Sequence, residues 1–207
     1  MKRPTIEVLV CVTWLTLISA GAVTLLNYEN TPGLADVTPQ QWPSDAAIAL
    51  DPLRPTLVMF AHPQCPCTRA SINELNRLLA RSQGRVTTHV LFLKPDSETD
   101  EWTHSDSWRA VAAIPGVSVA ADRNGAVAAR FGAETSGYVV LYDRQGQLLF
   151  KGGITSARAH AGDNAGANMI VSMLAGTENK AGQTPVYGCS LLDTCVAPSQ
   201  ESVPWPP

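Results

Sequence analysis

Residues 57–80 read LVMFAHPQCPCTRASINELNRLLA. The run from Thr56 to Ala61 is apolar and short, as a buried strand is. From Cys65 the apolar positions change period: Ile72, Leu75, Leu78 and Leu79 recur at helical spacing. Cys65 and Cys67, with Pro66 between them, therefore fall where a strand hands over to a helix. Free N–H groups and the helix dipole at such a junction favour a thiolate, the reactive form of cysteine. The pair points to redox chemistry or to binding of a soft metal.

Outward from this stretch the pattern is α/β. A second strand is expected over 85–93, a helix over 105–114 and a short strand over 117–120. A short helix over 124–131 stops at Gly132. Strands 138–142 and 147–151 form a hairpin across Asp143-Arg144-Gln145-Gly146, a strong turn signal. A last helix over 165–174 is closed by Gly176. Of the fifteen prolines, five lie in 29–55 and five in 179–207, which marks both stretches as flanks of the core. The expected organisation is an N-terminal membrane anchor over 1–28 and a Pro-containing spacer over 29–53. A domain over 54–178 and a Cys-containing, Pro-rich tail over 179–207 follow.

Residues 8–26 carry no charge and follow Lys2 and Arg3. Nineteen such residues approach the ~20 that cross a bilayer as a helix. Positive charge before the span places the N-terminus in the cytoplasm and the body in the periplasm or outside the cell, as a single-pass protein of the cytoplasmic membrane. A cleaved signal peptide is the competing reading, since Ala20-Gly21-Ala22 resembles a cleavage site. The apolar run outlasts that site, so a retained signal anchor is preferred. The net charge of −3 offers no basic face for nucleic acid. Of five cysteines, Cys11 lies in the span, and Cys65, Cys67, Cys189 and Cys195 lie beyond it. In an oxidising compartment these four can form two pairs, in three connectivities.

The element order, with a cysteine motif after the first core strand, resembles the thioredoxin superfamily. The second motif is RFGAETSGYVVLYDRQGQLLFKGG, residues 130–153. Together they span roughly 54–176. More narrowly, HPQCPCTRAS, GGITSARAHAGDNAG and TPVYGC are similar to bacterial membrane-anchored thioredoxin-like proteins of the RedB type. The resemblance implies a central mixed β-sheet flanked by helices. It implies Cys65 as exposed nucleophile and Cys67 as resolving thiol, and it places the loop after the last hairpin strand beside them. Two departures matter. The superfamily motif is C-x-x-C, whereas one residue separates these cysteines. Gly137 stands where the superfamily has a cis-proline that holds substrate and keeps metals away, so Gly137→Pro is expected to close access to the sulfurs.

Cys65 and Cys67 can bond to each other on a bent backbone, since residues two apart reach ~7 Å and a disulfide needs Cα atoms about 4.4–6.8 Å apart. His62 is a candidate base or ligand. Arg158 and His160, in the loop 154–164, are candidates for a site wall. Arg158 would lower a thiol pKa or hold an anion, and His160 would move a proton or bind metal. Asp163 or Asn164 suits a helix N-cap. Cys189 can fold back to resolve Cys65 or be stapled to Cys195, and the structural staple is preferred. The first function expected is a membrane-anchored extracytoplasmic thiol–disulfide oxidoreductase, acting on protein thiols or disulfides and needing no bound cofactor. The alternative is a Cu(I) chaperone or sensor using Cys65, Cys67, His62 and His160. A peroxidase is a weaker third reading, because His62 replaces the threonine expected before a peroxidatic cysteine.

Overall fold

The computed structural model describes residues 3–178 and 180–191. Its first element is helix α1 (Arg3–Asn30). Residues 6–30 are apolar, exposed along their length and long enough to cross a membrane.

The domain is built on β1 (Thr56–Ala61), α2 (Pro66–Ser82) and β2 (Thr87–Lys94). Next come two short helices, α3 (Asp100–Thr103) and α4 (Asp106–Ala112), then β3 (Val117–Arg123) and α5 (Ala126–Arg130). The hairpin β4 (Tyr138–Tyr142) and β5 (Leu148–Gly153) leads to α6 (Ala165–Leu174) and the two-residue β6 (Gly182–Gln183). The sheet order is β3-β2-β1-β4-β5-β6. β1 runs parallel to β2, and β2 to β3, while β4 is antiparallel to both β1 and β5. This is the thioredoxin-like arrangement, with β1 central and fully buried.

Burial on both faces explains why β1 reads as a continuous apolar run rather than an alternation. Leu57, Met59 and Ala61 join Leu75 and Leu78 of α2 and Ile170 of α6 in one core. Val58 and Phe60 join Phe131, Tyr138 and Tyr142 in the other. Pro66 opens α2, where its missing N–H costs nothing and its φ suits a helix. Asn164, rather than Asp163, caps α6, its Oδ1 accepting from Ala167 N at 2.8 Å. Glu74, buried in α2, accepts from Gly162 N at 2.8 Å and Asn164 Nδ2 at 3.2 Å, which ties the loop before α6 to α2.

The elements differ from the sequence expectation in three places. β3 continues to Arg123, because the parallel register with β2 runs on to Lys94↔Arg123. It is an edge strand whose charged end, buried Asp122 and exposed Arg123, hides it from a hydrophobic pattern. Residues 29–53, read as a spacer, lie across the second core. Trp42 meets Phe131 and Tyr142 edge-on at 5.1 and 5.3 Å, and buried Thr38 hydrogen-bonds the Tyr138 hydroxyl at 2.6 Å. The start of the tail is ordered: β6 extends the sheet, and Thr135↔Ser190 form an antiparallel bridge.

Candidate redox site

Cys65 is the N-cap residue of α2, with extended backbone. No side chain closes a capping hydrogen bond there. Its sulfur lies 2.7 Å from Cys189 Sγ. The thiol pKa is pushed down to about 5, first by the hydrogen bond from the Cys189 side chain. Burial opposes this, and the N–H groups of Cys189, Cys67 and Thr68 add to it. Cys65 thus has the physical setting of a thiolate, but it is only 3 % exposed.

Cys67 behaves oppositely. Burial pushes its thiol up, the neighbouring charge on Cys65 adds to that, and so does its own hydrogen bond to Cys65. The Ala159 N–H and the Arg158 guanidinium oppose the shift more weakly. Two cysteines two residues apart are therefore pushed in opposite directions, Cys65 toward the thiolate and Cys67 toward the thiol. The sequence expectation of an exposed nucleophile is corrected here: Cys65 lies under the tail.

His62 is buried at the end of β1. Its Nδ1 accepts from Gln64 N at 3.1 Å, which leaves the proton of the neutral ring on Nε2. Burial lowers its pKa, and the nearby Cys65 charge opposes that. The ring packs edge-on against Trp102 at 5.3 Å. Its backbone N–H donates to Ser136 Oγ at 2.8 Å, and Ser136 Oγ lies 2.8 Å from Thr68 Oγ1. Ser136, Thr68 and Trp102 thus position the motif. Sequence reading missed all three, since a buried Ser–Thr contact between residues 68 positions apart has no local signature.

Gly137 lies beside the motif with φ +89° and donates its N–H to Phe60 O at 2.7 Å. A Cβ there would lie 2.7 Å from Ser71 Oγ. Proline has neither the N–H nor access to that φ, so Gly137→Pro would break the loop rather than restore a wall.

Arg158 is engaged by backbone carbonyls. Its Nε donates to Tyr28 O at 3.1 Å, Nη1 donates to Gly188 O, and its guanidinium lies 4.9 Å from the Tyr28 ring centre. Its backbone N–H donates to Glu29 O at 3.0 Å. It thereby joins the last turn of α1 to the tail, with a cation at the helix C-terminus where the dipole favours one. His160 is exposed, its Nδ1 3.0 Å from Arg158 O. Among the described residues no group of three His, Cys, Asp or Glu side chains is placed to hold a metal ion. Cys195, and with it the expected Cys189–Cys195 staple, lies outside the described residues.

No protein-family model matches the chain, and no curated protein matches it. Among solved structures it is similar to a hypothetical protein from Sinorhizobium meliloti, with 20% identity and a TM-score of 0.57 over 80% of this chain and 96% of that one. An uncharacterized conserved protein from Geobacillus kaustophilus gives 16% identity and a TM-score of 0.55, over 78% and 92% of the two chains. A secreted disulfide oxidoreductase of Mycobacterium tuberculosis gives 16% and 0.42, over 61% and 84%. What the first two share with this chain is the fold.

Proposed function

We propose that this protein is a membrane-anchored thiol–disulfide oxidoreductase of the RedB type, with Cys65 as its nucleophile, acting on protein thiols or disulfides outside the cytoplasmic membrane. One observation carries the reading: Cys65 Sγ sits at the start of α2 with a second cysteine sulfur 2.7 Å away. A thiolate so placed attacks a disulfide sulfur to give a mixed disulfide, which a neighbouring thiol then releases. The sulfurs carry the electrons, so the reaction needs no bound cofactor. A groove lined by Pro63, Gln64, Cys65, Arg69 and residues 105–107 can seat a partner chain beside the motif, with Cys65 itself still covered by the tail. The apolar stretch 6–30, preceded by Lys2 and Arg3, supports the extracytoplasmic placement. Among the described residues no three His, Cys, Asp or Glu side chains are placed to hold a metal ion, so the Cu(I) alternative has no observation of its own behind it.

The test is exchange of the full-length reduced protein, in detergent, with glutathione disulfide, followed by alkylation and mass analysis. Cys65→Ser is expected to abolish fast exchange. A Cys65→Ser protein that exchanges at the parent rate overturns the reading.

A further inference from the structure

The second sulfur at Cys65 comes from the tail, 124 residues away. Its position does not rest on the sulfur contact alone. Ser136 N donates to Cys189 O at 2.8 Å, and Leu191 N donates to Glu134 O at 2.7 Å. These bonds and the Thr135↔Ser190 bridge lay the tail antiparallel against the loop 134–136. Upstream, Gly33 N donates to Val186 O at 2.8 Å, and Arg158 donates to the Gly188 carbonyl. A Cβ at residue 188 would collide with the Ser136 carbonyl, so only glycine lets the two backbones approach this closely. The tail is therefore seated in register, and that register delivers Cys189 to Cys65. It also covers the nucleophile, which the 3 % exposure of Cys65 records.

We propose that Cys189 is the redox partner of Cys65, and that residues 184–191 form a strap that a Cys65–Cys189 disulfide locks over the site. The proposal rests on the thiol-exchange reading above and names the second sulfur of that exchange. In the reducing direction, Cys65 attacks a disulfide of a partner protein. A Cys65–partner disulfide forms and one partner thiolate leaves. The Cys189 thiol gives its proton to solvent and attacks Cys65 Sγ, and the second partner thiolate leaves. Two thiols of this chain are oxidised to one disulfide, and one partner disulfide is reduced to two thiols. The reverse steps oxidise a dithiol partner. Opening to admit a partner requires Gly188 and Cys189 to leave the loop 134–136. Cys67 does not enter the covalent steps. It remains a buried thiol that donates to the Cys65 sulfur.

The experiment uses the full-length chain in detergent, equilibrated with glutathione buffers of rising oxidised fraction, acid-quenched, alkylated and mapped by mass spectrometry. The parent, Cys67→Ser and Cys195→Ser are each expected to yield the Cys65–Cys189 linked peptide. Cys189→Ser is expected to lose the intramolecular link while its Cys65 still forms a mixed disulfide with glutathione. Limited proteolysis of the strap is expected to be faster in reduced than in oxidised parent protein. A Cys65–Cys67 link in the parent overturns the proposal. So does a Cys189–Cys195 link with Cys65 still open to alkylation, or a chain that stays dithiol in fully oxidised glutathione. If Cys65 exchanges but Cys189→Ser changes nothing, this proposal alone fails. If Cys65→Ser leaves exchange intact, the function itself fails.

Discussion

Cys65 and Cys67 show how neighbouring side chains of one kind acquire opposite properties. Cys65 receives hydrogen bonds at its sulfur, which favour charge, whereas Cys67 donates one while buried. The largest favourable contribution at Cys65 comes from Cys189. Cys189→Ala is therefore expected to raise the Cys65 pKa, read as a higher midpoint in the thiolate absorbance of the reduced protein against pH. An unmoved midpoint would assign the shift to the helix start alone. The sign for stability follows by linkage. The folded pKa lies below the unfolded one, so Cys65 stabilises the reduced fold fully above the ordinary thiol pKa. That contribution falls with pH and is gone below the folded value. The urea midpoint of the reduced parent should fall between about pH 8 and pH 5 relative to that of Cys65→Ser. Parallel pH profiles for the two proteins would contradict this.

Among the elements, the stretch before β1 packs more closely than its sequence pattern suggests. Proline-rich and weakly patterned, it reads as a tether, yet its backbone pairs with the hairpin. Trp42 N donates to Gly146 O at 2.7 Å, and Leu148 N to Gln40 O at 2.9 Å. Its prolines are compatible with this because the segment pairs only intermittently, leaving most N–H positions unneeded. The Trp42 ring closes one face of Phe131 and Tyr142. Trp42→Ala should destabilise the protein by about 2 kcal/mol, less than for a fully buried tryptophan because the ring is partly exposed. Urea unfolding of the full-length chain followed by far-ultraviolet circular dichroism measures it. An unchanged midpoint would return this stretch to a tether.

At the scale of the whole molecule, the redox site leans on the end of the apolar helix. Arg158 contacts the carbonyls of Tyr28 and Glu29, and Thr135 Oγ1 donates to Leu34 O at 2.6 Å. If α1 spans the bilayer, these contacts hold the site close to the membrane surface and limit the partners that can reach it. The chain should stay in the membrane pellet after alkaline carbonate extraction, with an N-terminus upstream of Ala22. A mature protein that starts at or near Val23 and is released by carbonate would overturn the anchor.

Residues 57–80 by themselves determined the strand, the helix and the cysteines at their junction, because burial of β1 and the amphipathic face of α2 leave local periodic marks. The turn at 143–146 and the apolar α1 are equally local. The state of each cysteine is not. The low pKa of Cys65 needs a sulfur and an N–H from residue 189. The place of His62 needs Ser136, and the tail seats only because residue 188 has no side chain. These contacts join residues far apart in the chain, and backbone hydrogen bonds that any residue can make carry no side-chain signature. The tertiary structure alone therefore decided which second sulfur meets Cys65, because that choice depends on where the sheet, the loop 134–136 and the tail converge.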